Sequence, residues 1–121
     1  SYHHHHHCFS GTVNLSSART NLENLFLGVN RLEGTLDMKE LPPNLKDLGA
    51  EENKFHGSFD LRKLPKKIKE IQLQENNLTG EVFLEDLPKS LGEISFFQNN
   101  FSGTVDLTRL PESMRNLLIP K

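Results

Sequence analysis

Leu22-Glu-Asn-Leu25-Phe-Leu27-Gly-Val-Asn30, followed two residues later by Leu32-Glu-Gly-Thr-Leu-Asp-Met38, is the stretch whose reading decides the fold. The second segment recurs as Phe9 to Leu15, Phe55 to Leu61, Leu78 to Leu84 and Phe101 to Leu107, each copy starting 23 residues after the last with no insertion. A fixed period of this length marks a solenoid, in which each turn is one structural unit stacked on its neighbours.

Aligning the turns gives seven apolar columns, beginning at Phe9, Val13, Leu15, Ala18, Leu22, Leu25 and Leu27. All 35 positions across five turns are apolar, which leaves Tyr2, Cys8, Phe26, Val29, Phe83, Phe97 and Leu118 outside the columns. One turn cannot bury seven such side chains, but a turn stacked above and below covers them, so stability accumulates over repeats and interfaces. The alternation around Leu25 and Leu27 predicts a short strand, and strands of successive turns then make a parallel sheet. Asn30, Asn53, Asn76 and Asn99 recur where that strand must turn a corner. A buried amide there satisfies backbone groups of adjacent turns, so these four read as a structural ladder. Gly11, Gly34, Gly57, Gly80 and Gly103 are expected to bend the chain before a second extended piece. The pairs Leu41-Pro42, Leu64-Pro65, Leu87-Pro88 and Leu110-Pro111 predict return arcs of 3₁₀ turns and not of long helices.

These residues carry a resemblance. Leu-x-x-Leu-x-Leu-x-x-Asn, at Leu22 to Asn30 and with substitutions at Leu45 to Asn53, resembles the leucine-rich-repeat consensus over nearly all of residues 9–119. With the following glycine and the Leu-Pro-x-x-Leu return, it is most similar to the non-helical repeats of protozoan and plant surface leucine-rich proteins. The resemblance implies a β-dominated α/β solenoid with a parallel concave sheet, extended or 3₁₀ return arcs, and few or no α-helices. Ala50 in place of the last strand leucine, Ala18-Arg19 in place of Leu-Pro, and Phe83 in a column of Asp and Asn depart from the pattern without breaking its core.

The resemblance also implies that a partner binds the concave sheet, so the strand positions pointing away from the core are the informative ones. The windows of six residues starting at Asn24, Asp47, Glu70 and Glu93 hold Asp47, Glu51, Glu52, Glu70, Glu75 and Glu93 and no lysine or arginine. Lys39, Lys46, Arg62, Lys63, Lys66, Lys67, Lys69 and Lys89 fall on the return arcs instead. This polarity predicts an acidic face that favours a basic protein or peptide, against the plainer reading of solvated surface charge. Candidate contact residues are Phe26, Asp47, Glu51, Glu70, Gln72, Gln74, Glu93, Ser95 and Phe97, and Leu118 projects on the same face. Phe26 and Phe97 lie three turns apart, roughly 14 Å at strand spacing, so they do not form one contact. The lysines around Lys66-Lys67 lack an interleaved aromatic platform, which disfavours nucleic acid.

Composition bounds the rest. The chain has 121 residues and a formal charge of −2, so no global charge excess points to nucleic acid or membrane. Residues 1–8, Ser-Tyr followed by five histidines and Cys8, read as an expression tag, with a metal-binding tract as the alternative, and 9–121 as a single domain of five turns. Cys8 is the one cysteine, which excludes an intramolecular disulfide and leaves the compartment open between cell surface or extracellular space and cytoplasm. No run is long and apolar enough for a membrane span. Sequons at Asn14, Asn77 and Asn100 mark glycosylation positions for a secreted parent, although the repeat itself generates such triplets. His56 is the one histidine outside the tag; no nucleophile has an evident base, and no phosphate loop precedes a helix. The chain therefore reads as a non-enzyme without cofactor or resident metal, a recognition module with a structural spacer or an adhesin segment as alternatives. Neither end carries a polar cap, which predicts end-to-end self-association or a place in a longer array.

Overall fold

A computed structural model describes residues 2–3, 10–12, 21–36, 40–102 and 110–118. The chain alternates between two parallel sheets. The first holds β1 (Tyr2–His3), β3 (Asn24–Phe26), β5 (Asp47–Gly49), β7 (Glu70–Gln72), β9 (Glu93–Ser95) and β11 (Asn116–Leu118), paired in that order. The second holds β2 (Ser10–Thr12), β4 (Arg31–Gly34), β6 (Lys54–Ser58), β8 (Asn77–Glu81) and β10 (Asn100–Ser102). No α-helix occurs among the described residues. Each turn thus contributes one strand to each sheet, and the apolar columns fill the space between. All 22 buried apolar residues among the described ones, from Leu25 to Phe96, belong to those columns. Leu22, Phe101, Leu110 and Met114, also column residues, pack half-buried against them. The parallel sheet expected from the alternation is present, and β1 adds a strand beside β3, with Tyr2 opposite Leu25 and His3 opposite Phe26.

The two sheets stack differently. In the first, β5, β7 and β9 pair residues 23 apart, as in Asp47 with Glu70 and Glu70 with Glu93, so equivalent residues of successive turns lie side by side. In the second the partners are 21 apart, as in His56 with Asn77 and Asn100 with Thr79. Each second-sheet strand is therefore slipped by two residues against its repeat equivalent, about 6–7 Å at strand rise. A slip of two preserves which side chains face inward, whereas a slip of one would expose the core. Column residues Leu32, Phe55 and Leu78 accordingly remain buried, while Glu33, His56 and Thr79 remain exposed.

The glycines correct an expectation. They do not precede the second extended piece but lie within its strands, Gly34 at the end of β4 and Gly57 and Gly80 inside β6 and β8, with φ of 98°, 84° and 89°. At Gly57 a Cβ would also stand 3.1 Å from the Thr35 methyl of the preceding turn. Backbone in this left-handed range and a close neighbour both select glycine.

The corner asparagines tie the turns together. The Asn53 amide donates to the carbonyls of Leu27 in the preceding turn (2.8 Å) and of Ala50 and Glu51 in its own (3.3 and 3.0 Å). Its Oδ1 accepts the Leu32 N–H at 3.0 Å. Asn76 repeats this with Ala50, Leu73, Gln74 and the Phe55 N–H, and Asn99 with Leu73, Phe96, Phe97 and the Leu78 N–H. Asn30 donates to Leu27 and Gly28. One side chain thereby closes the corner of its own turn and caps the backbone of the turn before it.

The return arcs are extended chain with short 3₁₀-type turns, as expected. After each proline the chain makes a single reverse turn, with the N–H of Leu45, Ile68, Leu91 and Met114 donating to the carbonyl of Pro42, Pro65, Pro88 and Pro111. The 3₁₀ helix Leu61–Lys63 lies before Leu64-Pro65 and is capped by Asp60, whose Oδ1 accepts the Arg62 N–H at 3.0 Å, and Glu40, before Leu41-Pro42, is also in 3₁₀ conformation. One turn later Phe83 occupies the Asp60 column and cannot cap. No 3₁₀ helix forms there, and Asp86 takes a left-handed φ of 55°. The Phe83 ring is used otherwise: the Arg62 guanidinium stacks 4.3 Å from its centroid while bonded to Asp60 at 3.0 Å.

The ladder yields a quantitative expectation. Asn76→Ala strips partners from the Phe55 N–H and from carbonyls of two turns, and a buried unpaired backbone group costs about 1–3 kcal/mol. Chemical denaturation should show a loss of about 3 kcal/mol or more, well beyond that of an exposed control such as Asn77→Ala.

Candidate recognition face

Residues alternating with the buried column residues point to the outside of the first sheet, where the 23-residue register sets them in rows. One row runs Asn24, Asp47, Glu70, Glu93 and Asn116; the next runs Phe26, Gly49, Gln72, Ser95 and Leu118. The third, Gly28, Glu51, Gln74 and Phe97, follows from bonds that prolong the ladder past the strand ends, such as Ala50 N–H to Gln72 and Leu73 N–H to Ser95. Neighbours in a row are about 4.8 Å apart.

The structure brings most of the expected contact residues onto this face but does not leave them equally available. Glu70 is exposed, and Asp47, Glu51, Gln72, Gln74, Phe26, Phe97 and Glu93 are half-buried. Glu93 is already engaged: Gln72 Nε2 donates to its Oε2 at 2.6 Å and Asn116 Nδ2 to its Oε1 at 3.0 Å. Ser95, expected as a contact, is fully buried. Leu118 lies in β11, opposite Ser95, and its side chain is outside the described residues.

Small residues shape one end of the face. The Glu51 carboxyl folds over Gly28, where a Cβ would overlap it, and its Oε1 would stand 3.2 Å from a Cβ at Gly49. The Phe26 ring covers Gly49 from the other side, its Cδ1 3.0 Å from that Cβ position. Glycine at both positions lets a carboxylate and an aromatic ring lie flat against the sheet.

Glu52 and Glu75 correct the sequence reading of this face. They sit past the strand at the corner, with left-handed φ of 51° and 59°, exposed and stacked on successive turns. A hydrogen bond shared with the Glu52 side chain raises the Glu75 pKa above the ordinary carboxylate value, helped by some desolvation and by the repulsion of the Glu52 charge. The opposite case is Asp60, whose carboxyl is held below its ordinary value mainly by the Arg62 side-chain hydrogen bond.

The remaining sites fall elsewhere. Lys46 reaches Glu23 at 3.5 Å, Lys67 donates to Asn44 at 3.1 Å, and Arg62, Lys63, Lys66, Lys69 and Lys89 are exposed on the return arcs. Asn77 and Asn100 are exposed on β8 and β10 of the second sheet, as is His56 on β6. Asn14, Cys8 and His4 to His7 lie outside the described residues. Among the described residues no group of three or more His, Cys, Asp or Glu is placed to hold a metal ion, and no helix is long and apolar enough to cross a membrane.

No protein-family model matches the sequence. No curated protein matches it either. Two solved structures share the fold. The crystal structure of the BIR2 ectodomain from Arabidopsis thaliana superposes with a TM-score of 0.71 at 23% identity, over 95% of this chain and 67% of that one. The crystal structure of a pollen receptor kinase 3 gives 0.62 at 27% identity, over 81% of this chain and 48% of that one, so the chain matches about half of its length.

The Glu52–Glu75 pair carries a pH signature. A carboxyl whose folded pKa is raised contributes stability below its unfolded pKa and loses it as pH rises through the folded value. Glu75→Gln should therefore raise the denaturation midpoint near pH 7 relative to the parent and narrow the difference as pH falls through the carboxylate range. Midpoints measured from pH 3 to pH 8 check both signs.

Proposed function

We propose that this chain, a leucine-rich-repeat solenoid by its consensus and its fold, is a non-catalytic recognition module that binds a basic protein or peptide on the outer face of its first sheet. The observation that carries the reading is the row Asp47, Glu70 and Glu93, three carboxylates on successive strands about 4.8 Å apart. No lysine or arginine stands in any of the three rows of the face, while the cations gather on the return arcs. Such a separation steers a cationic partner toward one face and penalises like charge. The two similar structures, an ectodomain and a receptor kinase, agree with a binding role.

The decisive test reverses charge where the face can tolerate it. Glu93 holds two amides and Glu51 packs on Gly28, so Asp47→Lys with Glu70→Lys is the informative pair. Affinity capture from a source extract on immobilised parent and variant, at low and high salt, should show a partner that weakens with salt on the parent. The variant should lose roughly tenfold or more of that affinity, as expected when close charge pairs turn repulsive, with an unchanged circular dichroism spectrum. Equal capture by both proteins would remove the acidic row from the binding face and favour a spacer.

A further inference from the structure

Two asparagines follow one another at the corner of two successive turns, and the structure divides their work. Asn76 and Asn99 close the ladder. Asn77 and Asn100, one residue on, open β8 and β10 with their side chains exposed, and neither amide has a hydrogen-bond partner among the described residues. Thr79 and Ser102, two residues further, are exposed as well. Residues i and i+2 of a strand point to one face. Each triplet therefore shows amide and hydroxyl together to solvent, while Leu78 and Phe101 between them turn to the core.

Against expectation, the repeat alone does not produce these triplets. In the two preceding turns the same positions read Arg31-Leu32-Glu33 and Lys54-Phe55-His56. The middle residue is apolar in all four turns because the core needs it. The two outward positions change, and they change together: a cation followed by a carboxylate or an imidazole in one pair of turns, asparagine followed by a hydroxyl in the other. Neither the ladder nor the columns require that joint change. The slip of the second sheet sets Asn77 opposite His56 and Asn100 opposite Thr79. Asn77 and Asn100 are thus one strand and two residues apart, roughly 8 Å from strand spacing and rise, on the sheet that lies across the core from the acidic rows.

We propose that Asn77 and Asn100 are acceptors of N-linked glycans, in a protein that passes through the secretory pathway. The donor is an oligosaccharide carried on a polyprenyl diphosphate. The amide nitrogen bonds to the anomeric carbon as the bond from that carbon to the diphosphate oxygen breaks. The lipid diphosphate leaves with the electron pair and the amide gives up one proton, so nothing is oxidised or reduced. The hydroxyl residue two places on completes the acceptor triplet. The folded chain has only to tolerate the product, a bulky and solvated surface group. At Asn77 and Asn100 it does, because the sugar projects from the outer face of the second sheet and no bond of the ladder is lost. At Asn76 a glycan would take the donors on which the carbonyls of Ala50, Leu73 and Gln74 depend. Sugars on the second sheet leave the outer face of the first open, and the assignment does not depend on what that face binds.

The test is made on the protein isolated from its source. Mass spectrometry of its intact peptides should find a glycan on those that carry Asn77 and Asn100. Peptide-N-glycosidase in heavy-oxygen water should then leave labelled aspartate at positions 77 and 100 and unlabelled asparagine at positions 76 and 99. Expressed in the same cells, Thr79→Ala should lose the glycan at Asn77 while keeping the one at Asn100, and Thr79→Ser should keep both. In the unglycosylated chain Asn77→Gln and Asn100→Gln should leave the denaturation midpoint unchanged, which separates a free amide from one that serves the fold. Unmodified asparagine at both positions of the source protein overturns the proposal, and a glycan at one alone overturns it for the other. A modification at Asn77 that survives Thr79→Ala overturns it too, because the triplet would not be what is recognised. So does a large fall in midpoint in either glutamine variant, since the amides would then belong to the ladder.

Discussion

The corner asparagine is the constraint on which this solenoid depends. A chain that reverses direction at a fixed point in every turn leaves backbone donors and acceptors stranded at the same point in every turn. Water cannot reach them, because the core columns close over that corner: Asn53 and Asn76 are themselves buried. The amide answers with donors and an acceptor on one rigid plane, and it answers for two turns at once, as Asn53 does for Leu27 and Leu32 behind it and for Ala50 and Glu51 beside it. Stacking is therefore more than apolar contact. It is fixed in register by polar bonds: Asn53, Asn76 and Asn99 each reach 26 residues back to a carbonyl past the first-sheet strand and 21 residues back to an N–H of the second sheet, so one side chain holds the offset of 23 in the first sheet and the slip to 21 in the second.

That slip and the in-register stacking together separate the two surfaces. In the first sheet, equivalent positions of each repeat stand directly side by side, so a residue type conserved by the repeat becomes a continuous row and a substitution becomes a local feature of that row. In the second sheet each row is sheared, and exposed positions such as His56 and Asn77 face one another from different places in the repeat. A flat array of regularly spaced side chains arises only on the first sheet. Where the repeat drifts, as at Phe83, the consequence stays local: one cap is lost, one 3₁₀ helix does not form, and an arginine of the previous turn covers the ring.

The period of 23 and the apolar columns made the architecture legible without coordinates, because burial in a solenoid is a property of the repeat and can be read position by position. The site was legible only as a list. Alternation assigns Ser95 to the outer face, but neighbours cover it completely, and no pattern in one strand reveals what the next strand's side chains will do. Glu93 looks like any other acid until the amides of Gln72 and Asn116 are seen to hold it. Glu52 and Glu75 lie one residue beyond the face because the chain turns left-handed at the corner, a backbone change that glutamate does not announce. The glycines were legible as special backbone, yet their place inside the strands followed from the slip of the second sheet, which depends on pairing between turns.

A repeat scaffold has a particular freedom in meeting a partner. Its stability is spread over many equivalent interfaces, so a few unfavourable groups on the outer face are carried by the rest without loss of the fold. Glycine at positions 28 and 49 lowers the floor, a carboxylate and a ring lie flat upon it, and two further turns contribute an amide oxygen and a hydroxyl that find no partner among the described residues. None of these choices is required by the core, since Leu25, Leu27, Leu48 and Ala50 beneath them are as tightly buried as their counterparts Ile71, Leu73, Ile94 and Phe96. Residues that serve neither the columns nor the ladder, and that leave polar atoms unsatisfied where an apolar side chain would not, are the part of this sequence that packing alone does not explain.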